Sequence, residues 1–232
     1  MKSVGLVGGL GPESTIDYYR RILERWQQED PQSSPSIVID SLDVGKALRL
    51  VASDRPGLIQ YLLASVDRLA GARVDFIAIT ANTPHIVFDD VAANSPVPLL
   101  SIVDTCAQEA VRLGLRRLAL LGTRFTMEAS FYPDVFGRYG ISVVTLGEPE
   151  RTWLHEHYVG ELLKGVFRDE RRERVVSLVE RLKNAEGVDG VVLGGTELPL
   201  LLRDETVAGL PALDTTALHV AAIVNRLRGD QQ

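Results

Sequence analysis

The chain repeats itself. Residues 74–85, VDFIAITANTPH, return 114 positions later as residues 188–199, VDGVVLGGTELP. Each stretch is an apolar run that stops abruptly at small, hydroxyl or amide residues, the pattern of a buried strand opening into a ligand-binding loop. Aligned, they pair Val74 with Val188, Asp75 with Asp189, Ala81 with Gly195, Asn82 with Thr196 and Thr83 with Glu197. The same shift lays Val4-Gly5-Leu6-Val7-Gly8-Gly9 on Leu118-Ala119-Leu120-Leu121-Gly122-Thr123. With one residue less, Pro98 falls on Pro211 and Ser101 on Asp214. Three matches in order at nearly one offset predict a duplicated α/β unit, with the two motif loops facing each other across a pseudo-two-fold axis.

The pattern between the repeats agrees. Residues 2–9 read as a buried strand running into Gly8-Gly9-Leu10-Gly11-Pro12-Glu13. Pro12 and Glu13 suit the first turn of a helix that continues through Tyr18, Ile22 and Trp26. Short strands are expected at 36–39, 99–103, 118–121, 141–146 and 212–213, and motif strands at 74–80 and 188–193. Helices are expected at 54–69, up to residue 113, near 127–136, from 148 to 185 with a break near Gly165, and at 215–228. Strands alternating with helices over short loops predict parallel sheets with helices on both faces. Ligands in such folds bind beyond the carboxyl ends of the strands, where the loops after Gly8, Thr80, Leu121 and Leu193 all lie. The glycine-rich first loop offers free backbone N–H groups to an anion. Its G-G-x-G spacing is not the dinucleotide fingerprint, so no nucleotide cofactor is expected.

Composition excludes several classes. A net charge of −6 and a pI near 5.3 argue against a nucleic-acid partner, because phosphate binding needs clustered Lys and Arg. No apolar run approaches the ~18 residues of a membrane helix. The apolar run after Lys2 is cut by Gly8, Gly9, Gly11 and Pro12, so a signal peptide is not expected. A single cysteine, Cys106, cannot form an internal disulfide, which points to the cytoplasm. His155 and His157 have no Cys, Asp or Glu arrangement of zinc-site type, so no metal is expected.

Four motifs, G-G-L-G-P-E-S-T at 8–15, A-N-T-P-H at 81–85, L-G-T-R-F-T-M at 121–127 and G-G-T-E-L-P-L-L at 194–201, resemble the aspartate/glutamate racemase family. The resemblance runs from about residue 3 to 226. It implies two pseudo-symmetric α/β lobes with parallel sheets, formed by 1–97 plus 212–227 and by 98–211, and an active-site cleft between them. It also implies a cofactor-independent isomerase acting on an acidic amino acid or small dicarboxylate, and a homodimer. Racemisation removes a proton from one face of a carbon and returns one to the other, so two acid/base groups must flank it. The family normally supplies two cysteines, in C-N-T-x-H and G-C-T-E motifs. Here those positions are Ala81 and Gly195, neither of which can carry a proton, and Cys106 matches neither site.

Replacement groups are therefore sought nearby. Thr83 shares strand parity with Ala81, and Glu197 with Gly195, so either can point where the thiol would have been. Each is a candidate catalytic group, and for each substrate positioning within the loop is the alternative. Asn82 and Thr196 are an amide and a hydroxyl beside the vacant positions, suited to binding a carboxylate or to capping the loop. Gly9, Ser14 and Thr15 at the first loop, and Thr123 and Thr126 at its counterpart, fit a carboxylate at a helix start or simple capping. Lys164, in E-L-L-K-G, resembles a family lysine that approaches a substrate carboxylate; a solvated helix lysine is the alternative. His85 is either an acid/base group or a structural histidine. A decarboxylase or lyase on the same scaffold, and a non-catalytic binding relative, remain open beside the isomerase.

Overall fold

The computed structural model describes residues 2–229, and its contacts divide the chain into two compact units. The first comprises the chain up to Ile102 and from Thr216 onward, the second Val103–Thr215. In chain order the first unit holds β1 (Ser3–Gly8), α1 (Pro12–Glu29), β2 (Ser36–Ser41), α2 (Val44–Ser53), α3 (Arg55–Gly71) and β3 (Phe76–Ile79). A 3-10 turn (Thr83–Val87), α4 (Phe88–Ala93) and β4 (Leu99–Leu100) complete its first pass. The second unit opens with α5 (Ile102–Arg112), β5 (Arg117–Gly122), α6 (Arg124–Glu128), α7 (Phe131–Arg138), β6 (Ser142–Thr145) and α8 (Glu150–Gly160). A 3-10 turn (Leu162–Lys164), α9 (Asp169–Glu186), β7 (Gly190–Gly194), α10 (Leu198–Leu202), β8 (Thr206–Val207) and β9 (Leu210–Asp214) follow. Helix α11 (Thr215–Arg228) then returns to the first unit.

Both units carry one topology. The first sheet is ordered β2-β1-β3-β4 and is parallel throughout; the second is β6-β5-β7-β9, with β8 added antiparallel at its edge. Register repeats as well as order. Val4 lies opposite Phe76 and Leu118 opposite Gly190, each pair 114 residues from the other. Ile77 lies opposite Leu99 and Val191 opposite Ala212, the last step one residue shorter. Even the tie at the strand bottoms recurs: Asp75 accepts from the Ser3 N–H at 2.6 Å, and Asp189 from the Arg117 N–H at 3.0 Å.

Alternation along the first sheet splits its core in two. Val7, Ile77 and Ile79 pack with Leu58, Leu62, Val66 and Leu69 of α3 and Ala47 of α2. Val4, Leu6, Phe76 and Ala78 face the other way, onto Tyr18, Ile22 and Trp26 of α1 and Val220, Ile223 and Val224 of α11. Central strands buried on both faces read as continuous apolar runs, which is why SVGLVG and FIAI show no polar alternation. In the second unit, Ala119, Leu121, Val191 and Leu193 meet Leu154, Val175, Val179 and Leu182 of α8 and α9.

The changeovers fall at 102/103 and 215/216 instead of the expected 97/98 and 211/212. Each strand stays with the sheet it hydrogen-bonds into: β4 pairs with β3, and β9 pairs with β7 as far as Asp214. The helix expected at 54–69 is preceded by another, α2, capped by Asp43, whose side chain accepts from the Gly45 and Lys46 N–H groups. Among the described residues no helix is long and apolar enough to cross a membrane.

Candidate active site

The loops that follow the central strands of each sheet lie side by side within their own unit. In the first unit, Gly9 turns the chain out of β1 with φ +75°, and a Cβ there would lie 2.3 Å from the Leu42 carbonyl oxygen. Only glycine fits such a place. Its N–H donates to Thr15 Oγ1 at 2.8 Å, and the same hydroxyl donates to the Gly11 carbonyl at 3.1 Å. Ser14, fully buried, reaches the Thr80 carbonyl at 3.5 Å, linking this loop to the end of β3.

Beyond Thr80 the chain leaves the strand, and the alternation argument for Thr83 ceases to apply: Thr83 opens a 3-10 turn and is half-buried. Ala81 and Asn82 are buried, Ala81 within the apolar cluster of Leu10, Leu42 and Val87. His85 is locked. Its Nδ1–H donates to the Ala81 carbonyl at 2.9 Å, its Nε2 accepts from the Ile102 N–H at 3.3 Å, and its ring stacks on Phe88. Burial pushes its pKa down to about 4, so it is a neutral structural histidine with both nitrogens occupied.

In the second unit, Thr123 caps α6, its hydroxyl accepting from the Thr126 N–H at 3.2 Å and lying 3.2 Å from the Thr126 hydroxyl. Thr126 in turn abuts the strand ends: Cβ atoms placed on Gly122 or Gly194 would meet its side chain at 3.1 and 3.4 Å. The second motif loop thus adjoins Thr126. Lys164 is exposed at the end of its 3-10 turn, four residues after Gly160 closes α8. His155 accepts from the Arg124 N–H at 3.2 Å and His157 contacts the Trp153 carbonyl at 2.8 Å. Among the described residues no cluster of His, Cys, Asp and Glu is able to hold a metal ion. Cys106 is fully buried on α5, and burial pushes its thiol pKa up, away from nucleophilic use.

The chemistry of this unit concentrates at Glu197, which also lies outside strand alternation, in αR conformation before α10. It is 1% exposed. Burial raises its pKa, and hydrogen bonds from Tyr158 and Thr196 partly offset that rise. Oε2 accepts from the Tyr158 phenol and from the Thr196 hydroxyl at 3.2 Å. Oε1 has no hydrogen-bond partner among the described residues. Tyr158, on α8, is the residue that sequence patterns did not reveal. It fills the place beside Gly195: a Cβ there would lie 2.5 Å from Tyr158 Cε2 and 2.6 Å from its Oη. The only hint in the sequence is the glycine itself, a gap that something must occupy.

A buried carboxyl with one free oxygen can accept a proton from carbon, and threonine hydroxyls and loop N–H groups nearby suit a small carboxylate. Comparison with known proteins points to one family. The family model for Asp/Glu/Hydantoin racemases matches residues 7–223. The broad specificity amino-acid racemase RacX of Bacillus subtilis (strain 168) is 22% identical over 228 residues, 96% of each chain. A Yersinia pestis protein assigned as an Asp/Glu racemase superposes with a TM-score of 0.87 at 33% identity, over 98% of this chain and 100% of that one. An aspartate racemase homologue from Pyrococcus horikoshii OT3 gives 0.82, at the same identity and coverage. The chain is a member of the Asp/Glu/Hydantoin racemase family.

Proposed function

We propose that the protein is a cofactor-independent isomerase of the racemase type, acting on the carbon beside a carboxylate of an acidic amino acid or small dicarboxylate, with Glu197 as its principal base. The observation that carries this reading is the desolvated Glu197 carboxyl at the end of β7, next to the glycine that stands in the second thiol position, with Oε1 unengaged. Oε1 takes the proton from carbon, the carbon keeps the electron pair, and the carboxylate becomes a neutral acid. Thr83 is the candidate for the second proton-transfer group. Gly9, Ser14, Asn82, Thr123, Thr126, Lys164 and Thr196 are assigned to holding the substrate, whose negative charge suits backbone N–H groups and hydroxyls at strand ends. The same reading takes the protein as a cytoplasmic homodimer, checked by fractionation and by sedimentation of the purified protein.

A second reading is favoured by one asymmetry. The first motif carries no readily ionised side chain: Ala81 has none, and His85 is held at both nitrogens. A threonine hydroxyl that gives up its proton leaves a costly alkoxide. One base with one carbanion-stabilising loop is what a decarboxylase or lyase needs, and such an enzyme has no use for symmetric acid/base groups. Incubation with L- and D-aspartate and glutamate in deuterated water, followed by NMR and chiral chromatography, separates the readings. Exchange with racemisation supports the isomerase. Exchange confined to one enantiomer supports a single working base, and binding with neither exchange nor product removes both. Glu197→Gln lowers exchange by about 10²–10⁴-fold if Glu197 is the base.

A further inference from the structure

The reading of Glu197 as the proton-transfer group leaves open how a buried carboxyl is kept usable as a base, and the following inference rests on that reading. The two oxygens of Glu197 have unlike surroundings. Oε2 accepts from two neutral hydroxyls, Tyr158 and Thr196, while Oε1 has no partner among the described residues. The Glu197 N–H donates to Tyr158 Oη at 3.3 Å, so one phenol oxygen is acceptor from the backbone and donor to the side chain of the same residue. The ring is 3% exposed and takes up the volume that a side chain at 195 would claim.

We propose that Tyr158 is a positioning residue for Glu197: seated in the space that Gly195 leaves open, its phenol clamps Oε2, so that Oε1 is the atom presented to the substrate proton. Tyr158 keeps its own proton throughout. Burial, and then the adjacent carboxylate, push its ionisation far up, so it remains a donor. A hydrogen bond donated to a carboxylate favours the ionised form, whereas burial favours the neutral acid. The clamp therefore works against desolvation, and Gly195 and Tyr158 form a matched pair.

Tyr158→Phe tests this with the ring retained. The titration of Glu197 is followed by NMR on protein labelled with ¹³C at the glutamate carboxyls, the signal being assigned by its loss in Glu197→Gln. The expected result is a higher midpoint in Tyr158→Phe, with the acid limb of the exchange rate against pH moving the same way. A shift of one unit lowers exchange about tenfold at any pH below the midpoint. Substrate KM changes little, because Oε1 and the carboxylate-binding loops are untouched. Thr196→Val, which removes the other hydroxyl on Oε2, shifts the midpoint in the same direction. A folded Tyr158→Phe with an unmoved midpoint overturns the clamp. If the wild-type protein exchanges no proton from any acidic amino acid, the isomerase reading falls, and the NMR midpoint alone then decides for or against the clamp.

Discussion

Gly195 has no side chain because Tyr158 is already there. A Cβ at 195 would stand 2.5–2.8 Å from three atoms of the phenol ring, closer than packed carbons approach, and the ring is walled in by the core of its unit. Gly195→Ala is therefore expected to cost about 1–3 kcal/mol in overpacking, measured by urea unfolding, and to reduce exchange because the ring must leave Oε2. The same geometry argues against restoring a thiol at 195 in an otherwise unchanged protein: a cysteine needs Tyr158 removed first. Sequence reasoning found Glu197 and Thr196 beside the gap but had no means to find the phenol, which lies 39 residues away on another element. His85 was ambiguous in the sequence for a related reason. Whether a histidine is an acid/base group or a strut depends on what faces each ring nitrogen, and its partners are backbone atoms of Ala81 and Ile102.

At the scale of elements, the strand-to-loop transitions govern what the site residues can do. The strands were legible because buried parallel strands are near-continuous apolar runs ended by glycine or threonine. The loops were not, since Thr83 and Glu197 leave extended geometry one turn earlier than alternation assumed. Helix α2 was hidden by its short length and by a sequence, VGKALRLVAS, that buries only Ala47 fully. The β1–α1 loop shows how few bonds hold such a turn. Thr15 supplies the acceptor for the buried Gly9 N–H and a donor to Gly11 O. Thr15→Val keeps the shape and removes both, leaving a buried N–H without its partner. The expected loss is about 1–3 kcal/mol, read as a lower Tm.

At the scale of the molecule, the duplication was the most legible feature, since register, strand order and the aspartate ties all recur at the offset seen in the sequence. What the repeat does not copy is the placement of buried ionisable groups. The first unit buries His85 and His219; the second buries Glu197 with Tyr158. His219 donates from Nε2 to the Leu100 carbonyl at 3.2 Å and accepts at Nδ1 from Tyr18 at 3.0 Å. Burial lowers its pKa to about 3, as it lowers that of His85 to about 4, and each ring would disfavour a charge on the other. A histidine whose folded pKa lies below its unfolded value near 6.5 contributes full stability above that value. It loses about 1.4 kcal/mol per pH unit as pH falls toward the folded pKa. Glu197 has the opposite sign: its folded pKa is raised, so its burial is least favourable at neutral pH and is relieved as pH falls through the folded value. His155 follows the histidine sign in the second unit but is half-exposed, which weakens its effect. The aspartates with lowered pKa, such as Asp40, matter only in stronger acid. Between pH 6.5 and 5 the first unit should thus lose stability on the order of 3–4 kcal/mol from its two histidines, with no comparable loss in the second. Hydrogen exchange by mass spectrometry at pH 7 and pH 5, corrected for intrinsic rates, is expected to show β1 and β3 losing protection before β5 and β7. His219→Gln, which keeps a donor for Leu100 without a titrating ring, should remove about half of that sensitivity; equal loss in both units, or first loss in the second, would contradict the assignment of the acid response to these two rings.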